Sequence, residues 1–243
     1  MIKSTLFLLA ALMFTAATFA AQSSDTFQTQ SGKSLVIHHI KHGSLYIEYE
    51  GMYIYVDPVG TTAQPATDYR LLPKASLILI THEHQDHFDQ LALNQLWNTG
   101  TPVYAPKSVI EKLHRGVSLA NGDSIEYNGI HVRAVPAYNT TEGRERFHPK
   151  GRDNGYIITI DGLRIYIAGD TEPIPEMSEL GPVDVAFLPC NQPYTMTIDQ
   201  LDQAARTVKP RVLYPYHYSE TPISQARMRL AGSGIEVRIR DYK

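Results

Sequence analysis

One cysteine, Cys190, stands in the 243 residues, so no internal disulfide can form. Within Val185-Ala-Phe-Leu-Pro-Cys190 it reads as a small buried hydrophobe. Blocks of basic charge are missing as well. The net charge is −3, and it falls to about −4 once Lys3 leaves with a leader peptide. A mildly acidic chain of this kind gives no electrostatic case for nucleic acid. After the first 20 residues no second long apolar run follows, and Gln22-Ser-Ser-Asp25 is polar, so a stable membrane anchor has no support. No repeat array, low-complexity tract or internal domain boundary stands out.

What is present begins with a leader. Lys3 supplies a positive start, Leu6 to Phe14 an apolar core too short to span a bilayer, and Thr18-Phe19-Ala20 small residues at the cleavage positions. The expected organisation is a signal peptide at 1–20, a linker at 21–33 and one domain at 34–243, in a periplasmic or secreted protein.

The domain reads as short strands with a few helices. Strands are expected at Ser34–His39, Ser44–Glu50 and Met52–Asp57, with Gly51 turning the last two. Asn128-Gly129 and Asp161-Gly162 mark two further hairpins, because both central residues of a type I′ turn need positive φ. A last strand is expected at Ile235–Ile239. Helices are expected after Asp89, carrying Leu93, Leu96 and Trp97, and at Lys107–Leu113, Thr197–Val208 and Pro222–Leu230. Gly51-Met-Tyr-Ile-Tyr-Val leading to Asp57 is echoed by Gly162-Leu-Arg-Ile-Tyr-Ile leading to Asp170, as two halves of similar build would require. The class is mixed α/β.

The chain is organised around Leu77-Ile-Leu-Ile-Thr-His-Glu-His-Gln-Asp-His-Phe-Asp89. Leu77 to Ile80 reads as a strand buried on both faces. His82 and His84 leave the same side of an extended chain, while Asp86 and His87 follow where it must bend. Asp89 is placed to cap the next helix. Four nitrogen and oxygen donors in six residues at a strand end suit one or two divalent metals. On the residues alone, Asp170 could equally be a turn former and His217 a structural histidine; each closes an apolar strand.

The pattern His82-x-His84-x-Asp86-His87 resembles that of the metallo-β-lactamase superfamily of metal-dependent hydrolases. Supporting matches are Asp57-Pro58, Val135-Pro-Ala-Tyr-Asn139, Phe147-His-Pro-Lys150, Ala168-Gly-Asp-Thr171 and Tyr214-Pro-Tyr-His217. The likeness is nearest to the branch of ascorbate-6-phosphate lactonase-like and N-acylphosphatidylethanolamine phospholipase D-like enzymes. It implies a four-layer αββα sandwich with metals at one edge of the two sheets. It also implies that His82 and His84 hold one metal, that Asp86, His87 and His217 hold the other, and that Asp170 bridges. Zinc is the default, with manganese and iron open.

The family ordinarily supplies a third histidine to the first metal, and here Asn139 stands nearby, with His148 further along the loop. Pro149 biases the His148 backbone toward extended angles, and the expectation is that His148 contacts substrate or transition state, not metal. In the same loop Lys150 or Arg152 is expected to meet an anionic group on a small-molecule substrate. Tyr194 and His42 are further candidate walls of the site. His38 and His39 face opposite sides of a strand and cannot chelate together; His114 and His131 are expected at the surface. The reaction expected is hydrolysis of a lactone, ester, amide or phosphodiester by a two-metal-activated hydroxide, with Asp86 orienting it and relaying a proton. A non-catalytic metal- or ligand-binding protein is the alternative.

Overall fold

The structure of the chain, a computed structural model, describes residues 23–242. The leader expected at 1–20 lies outside the described residues. No helix among the described residues is long and apolar enough to cross a membrane.

Two seven-stranded sheets follow one another in the chain. The first runs β1 (Ser24–Gln28), β2 (Ser34–Lys41), β3 (Ser44–Tyr49), β4 (Met52–Val56), β5 (Leu77–Leu79), β6 (Val103–Ala105) and β7 (Val117–Ser118). The second runs β8 (Ser124–Tyr127), β9 (Ile130–Ala137), β10 (Asp153–Ile160), β11 (Leu163–Ile167), β12 (Val185–Pro189), β13 (Val212–Tyr216) and β14 (Glu236–Val237). In each sheet the first four strands pair antiparallel and the remaining three continue in parallel. The echo between the stretches ending at Asp57 and Asp170 is therefore topological: each contains the fourth strand of its sheet.

The antiparallel halves are set by tight turns. Glu50-Gly51, Asn128-Gly129 and Asp161-Gly162 all have positive φ at both central residues (49° and 75°, 48° and 80°, 45° and 77°), as the type I′ hairpin demands. The parallel halves need crossovers, and these carry the helices. Helices α1 (Gln90–Leu96) and α2 (Lys107–Leu113) cover the outer face of the first sheet, where Leu93, Leu96 and Val109 pack with Ile78, Ile80 and Tyr55. Helix α3 (Ile198–Val208) presents Leu201, Ala204, Ala205 and Val208 to the second sheet, and α4 (Gln225–Arg229) lies beside it. A reciprocal Thr197–Gln200 capping box starts α3, satisfying backbone donors that the first turn leaves open. The result is the four-layer αββα sandwich. Strand β5 shows its logic, since Leu77 and Leu79 enter the inter-sheet core while Ile78 faces the helices.

Several element ends differ from the sequence reading: β2 runs on to Lys41, and α4 and β14 are shorter than expected. Residues 21–33 are not simply a linker: Ser24–Gln28 form the edge strand β1, pairing from Ser24 opposite His38 to Gln28 opposite Ser34. Only Phe27 of that strand is buried, which is why its pattern is faint. Trp97 stands at the C-cap of α1 and still packs against the cluster of Leu93 and Leu96, with Arg115 3.8 Å over its ring.

Candidate metal centre

Parallel strands of both sheets end at one edge, and the loops after them hold the polar residues of the site, as in open α/β sheets generally. Asp57 follows β4, His82 to His87 follow β5, Asp170 follows β11, Asn191 follows β12 and His217 follows β13. Gly169, at φ 66°, makes the bend before Asp170; a Cβ there would stand 2.8 Å from the Asn154 carbonyl.

Each of three histidines is tied at Nδ1, which turns its Nε2 inward. His82 Nδ1 lies 2.9 Å from the Thr81 hydroxyl, His87 Nδ1 lies 2.7 Å from Asp57 Oδ2, and His148 Nδ1 lies 3.0 Å from Asp153 Oδ2. Partners of this kind fix ring orientation and tautomer in metal-binding histidines. Thr81 is fixed in turn, its amide and hydroxyl donating to the two oxygens of Asp57 at 2.7 and 2.6 Å. Behind the ring of His87 there is only Gly43, where a Cβ would fall 2.5 Å from Cε1.

The inward atoms converge on Asp170. Its Oδ1 lies 3.4 Å from His87 Nε2, and its Oδ2 lies 3.4 Å from His148 Nε2, 3.3 Å from His217 Nε2 and 3.8 Å from His82 Nε2. Donor atoms group within 4.8 Å of one another as His82, His84 and His148, as His42, Asp86, His87 and His217, and as His82, His87 and Asp170. Asp86 Oδ2 accepts from His42 Nε2 at 3.0 Å and lies 3.4 Å from His217 Nε2.

Acids and imidazoles in this cluster are strongly coupled. Burial raises a carboxyl, yet His217 and His87 hold Asp170 well below the usual carboxylate range, and His217 and His42 do the same for Asp86. Burial likewise works against charged imidazoles, but Asp170 and Asp57 push His87 up to about 9, and Asp170 and Asp86 push His217 up to about 10. His82, His84 and His42 are driven down, first by burial and then by neighbouring histidines. Meanwhile His82 Nε2, His87 Nε2, His217 Nε2 and Asp170 Oδ1 are buried with no hydrogen-bond partner. Buried polar atoms ordinarily find partners, so four orphans facing one point fit divalent cations. Imidazoles mixed with carboxylates suit zinc or iron better than magnesium or calcium.

The structure brings His82, His84, Asp86, His87, Asp170 and His217 together, and His42, expected on the wall, lines the cavity beside Asp86. His148, expected to face substrate, lines the cavity and also sets its Nε2 among the ligand-type atoms, beside His82 and His84. The Asn139–His148 backbone bond (2.9 Å) and the Asp153 contact swing the ring inward. Asn139 itself lies behind the wall, its amide donating to the carbonyls of Tyr194 and Arg144. Lys150 and Arg152 do not reach the site. Lys150 pairs with Glu176 at 3.0 Å, Arg152 pairs with Asp153 at 2.7 Å, and both open on a separate cavity beside Ser108 and Asn121. Tyr194 does line the central cavity, of about 650 Å³, as do Phe147, Thr62, Ala63 and Gln64.

Two supports escape the sequence reading. Asp153 looks like one more charge in a charged loop, and Lys41 looks like an ordinary lysine at a strand end. Yet Lys41 is buried, and its ammonium donates to the carbonyls of Gly60, Ala63 and Pro65 at 2.5, 2.5 and 2.7 Å. Asp57 was visible as Asp57-Pro58 after a strand, without its role of holding His87.

Comparison with known proteins agrees with this geometry. A family profile described as a Beta-lactamase superfamily domain matches residues 36–217. A UPF0173 metal-dependent hydrolase of Pyrococcus horikoshii is 31% identical over 216 residues, covering 84% of this chain and 95% of its own. Another, of Thermoplasma acidophilum, is 34% identical over 160 residues, covering 63% and 70%. A solved structure from Parabacteroides distasonis, assigned as a metal-dependent hydrolase, has 51% identity and a TM-score of 0.88, covering 91% of this chain and 100% of that one. Igni18, a metallo hydrolase of Ignicoccus hospitalis, has 26% identity and a TM-score of 0.71, covering 84% and 94%.

Proposed function

We propose, for a chain that belongs to the UPF0173 metal-dependent hydrolases of the metallo-β-lactamase superfamily, an exported hydrolase with a two-cation centre. His82, His84 and His148 would hold one divalent cation, Asp86, His87 and His217 the other, with Asp170 between them. The observation that carries this is the set of buried, partnerless atoms aimed at one point. Two cations there supply a water of lowered pKa and positive charge against a developing oxyanion.

The chain's own residues do the rest. Asp86 is the carboxylate of the cluster most open to the cavity, its side chain 38% exposed. Held well below the ordinary carboxylate range, it stays ionised at working pH and accepts a hydrogen bond from the attacking water. Its place at the cavity wall lets it pass a proton on to the leaving group. His42 holds its Oδ2 in position through Nε2 at 3.0 Å. Tyr194 and Phe147 exclude water on one side of the cavity. Acyl and phosphoryl centres both suit this arrangement; family analogy favours a lactone or a phosphodiester. Export rests on the leader-like composition of residues 1–20.

The test is a panel of lactones, esters, amides and phosphodiesters, run on metal-loaded and chelator-treated protein with elemental analysis. Turnover that disappears with the metal, and Asp170→Ala protein that retains almost none, are the expected results. Full metal content in Asp170→Ala, or no turnover by loaded protein on any member, sinks the reading. Intact mass of native material that still includes residues 1–20 would remove export.

A further inference from the structure

Four cations lie in the loop after β9, and none lines the central cavity. Arg144 faces Glu172 at 3.5 Å, Lys150 faces Glu176 and Arg152 faces Asp153. Arg146 lays its guanidinium 4.7 Å over the Phe147 ring, outside the lining. Among the described residues the cavity has no lysine or arginine on its surface.

Beyond the ligand cluster that surface is two walls. One is the pair Phe147 and Tyr194, edge to face with centroids 5.0 Å apart at 74°. The other is Thr62-Ala63-Gln64. Both are fastened from behind, by Asn139 to the Tyr194 and Arg144 carbonyls (2.7 and 3.2 Å) and by Lys41 to the loop 60–65. Walls fixed this way keep their shape before a ligand arrives, so selectivity lies in what they are made of. Tyr194 leaves 45% of its surface exposed, an apolar area that a ligand would cover. An anion seated between these walls would lose water with no lysine or arginine beside it to meet its charge.

We infer that the part of the substrate remote from the scissile bond is uncharged and carries an aromatic or flat apolar group. It lies on Phe147 and Tyr194, opposite Thr62-Ala63-Gln64, while Gln64, Asn191 and Ser219 meet its neutral polar atoms. The inference rests on the hydrolytic reading only for the position of the scissile bond.

Two measurements on the metal-loaded protein test it. The first is kcat/KM for methyl esters whose acyl end bears phenyl, cyclohexyl or carboxylate. The phenyl member should exceed the carboxylate by at least about tenfold, and Phe147→Ala or Tyr194→Ala should remove most of that ratio at unchanged metal content. Tyr194→Phe should preserve it. A carboxylate ester equal or superior to the phenyl ester overturns the inference. So does a ratio that survives both alanine variants, or an anion preference abolished by Arg146→Ala. The second is calorimetric binding of acetophenone against 4-acetylbenzoate, which share carbonyl and ring and differ by one remote carboxylate. Acetophenone should bind more tightly, and lose that lead in Phe147→Ala and Tyr194→Ala; equal or tighter binding of the benzoate overturns the seat. If no lactone, ester, amide or phosphodiester is hydrolysed, the hydrolytic reading fails while this binding result still decides the seat.

Discussion

Asp153 Oδ2 lies 3.0 Å from His148 Nδ1, and this contact commits the opposite ring nitrogen to the centre. The rings of His82 and His84 stand 4.9 and 4.8 Å from that of His148. His148→Ala should therefore lower bound metal by roughly half, as the loss of one of two sites requires. Asn139→Ala should leave metal content intact. Asp153→Asn should weaken affinity by about 10- to 100-fold, the usual effect of losing a partner behind a ligand. Elemental analysis and chelator competition read all three, and unchanged metal in His148→Ala would return the residue to the pocket wall.

Gly43→Ala should disturb the centre without touching a ligand. The added methyl would lie 2.5 Å from His87 Cε1 and 2.9 Å from Nδ1, the nitrogen that Asp57 holds at 2.7 Å. Metal content and kcat/KM should fall together, by about tenfold or more for a misplaced group. A variant with full loading and full turnover would show that the ring can retreat.

Lys41→Met should remove the ammonium that three carbonyls of the loop 60–65 share, leaving Gly60 only the Thr67 amide and taking the Lys41 bond from Ala63 and Pro65. The expected cost is about 2 kcal/mol or more of stability in urea unfolding. KM should rise more than kcat falls, because the loop carries a pocket wall and no ligand. Loss confined to kcat would contradict this reading of the lysine.

Acid should loosen the protein at His39, which belongs to none of the donor groups. His39 Nδ1 accepts from the Tyr242 hydroxyl at 2.7 Å and its Nε2 donates to Asp25 at 2.8 Å. Burial outweighs Asp25 and pushes His39 down to about 4; burial raises Asp25, but Arg240 and His39 bring it to about 2. With the unfolded imidazole near 6.5, the unfolded chain takes up a proton that the native state refuses. Stability is full above pH 6.5 and falls toward pH 4, by about 3 kcal/mol from this histidine. His42, His82 and His84 are also held low, so the measurement is the difference between wild type and His39→Gln, metal-loaded, in urea melts. An identical slope between pH 6.5 and 4 in the two proteins would exclude His39 as a source.

Local signals carried most of the architecture. Strand β5, the two Xaa-Gly hairpins and the Asp89 cap each depend on a few neighbouring residues, and the donor set His82 to His87 is contiguous. Strand β1 was faint because an edge strand buries only Phe27, and β6 and β7 are too short for a period to show. Lys150 and Arg152 misled because a sequence displays charge but not its partner; Glu176 and Asp153 had already claimed them. The grouping of His148 with His82 and His84 was not legible for a related reason, since nothing in Phe147-His148-Pro149 tells which way its loop folds.

The matching build of the two sheets has a consequence for assembly. Every donor group draws from both halves: His82 and His84 with His148, Asp86 and His87 with His217, His82 and His87 with Asp170. Neither half owns a complete coordination set. A cation held at the seam acts as a clasp, favouring the docked state by mass action and leaving each half on its own unaffected. A chain severed between Ser118 and Ser124 would accordingly take up metal as a two-component reaction, with an apparent affinity that rises with the concentration of the pieces.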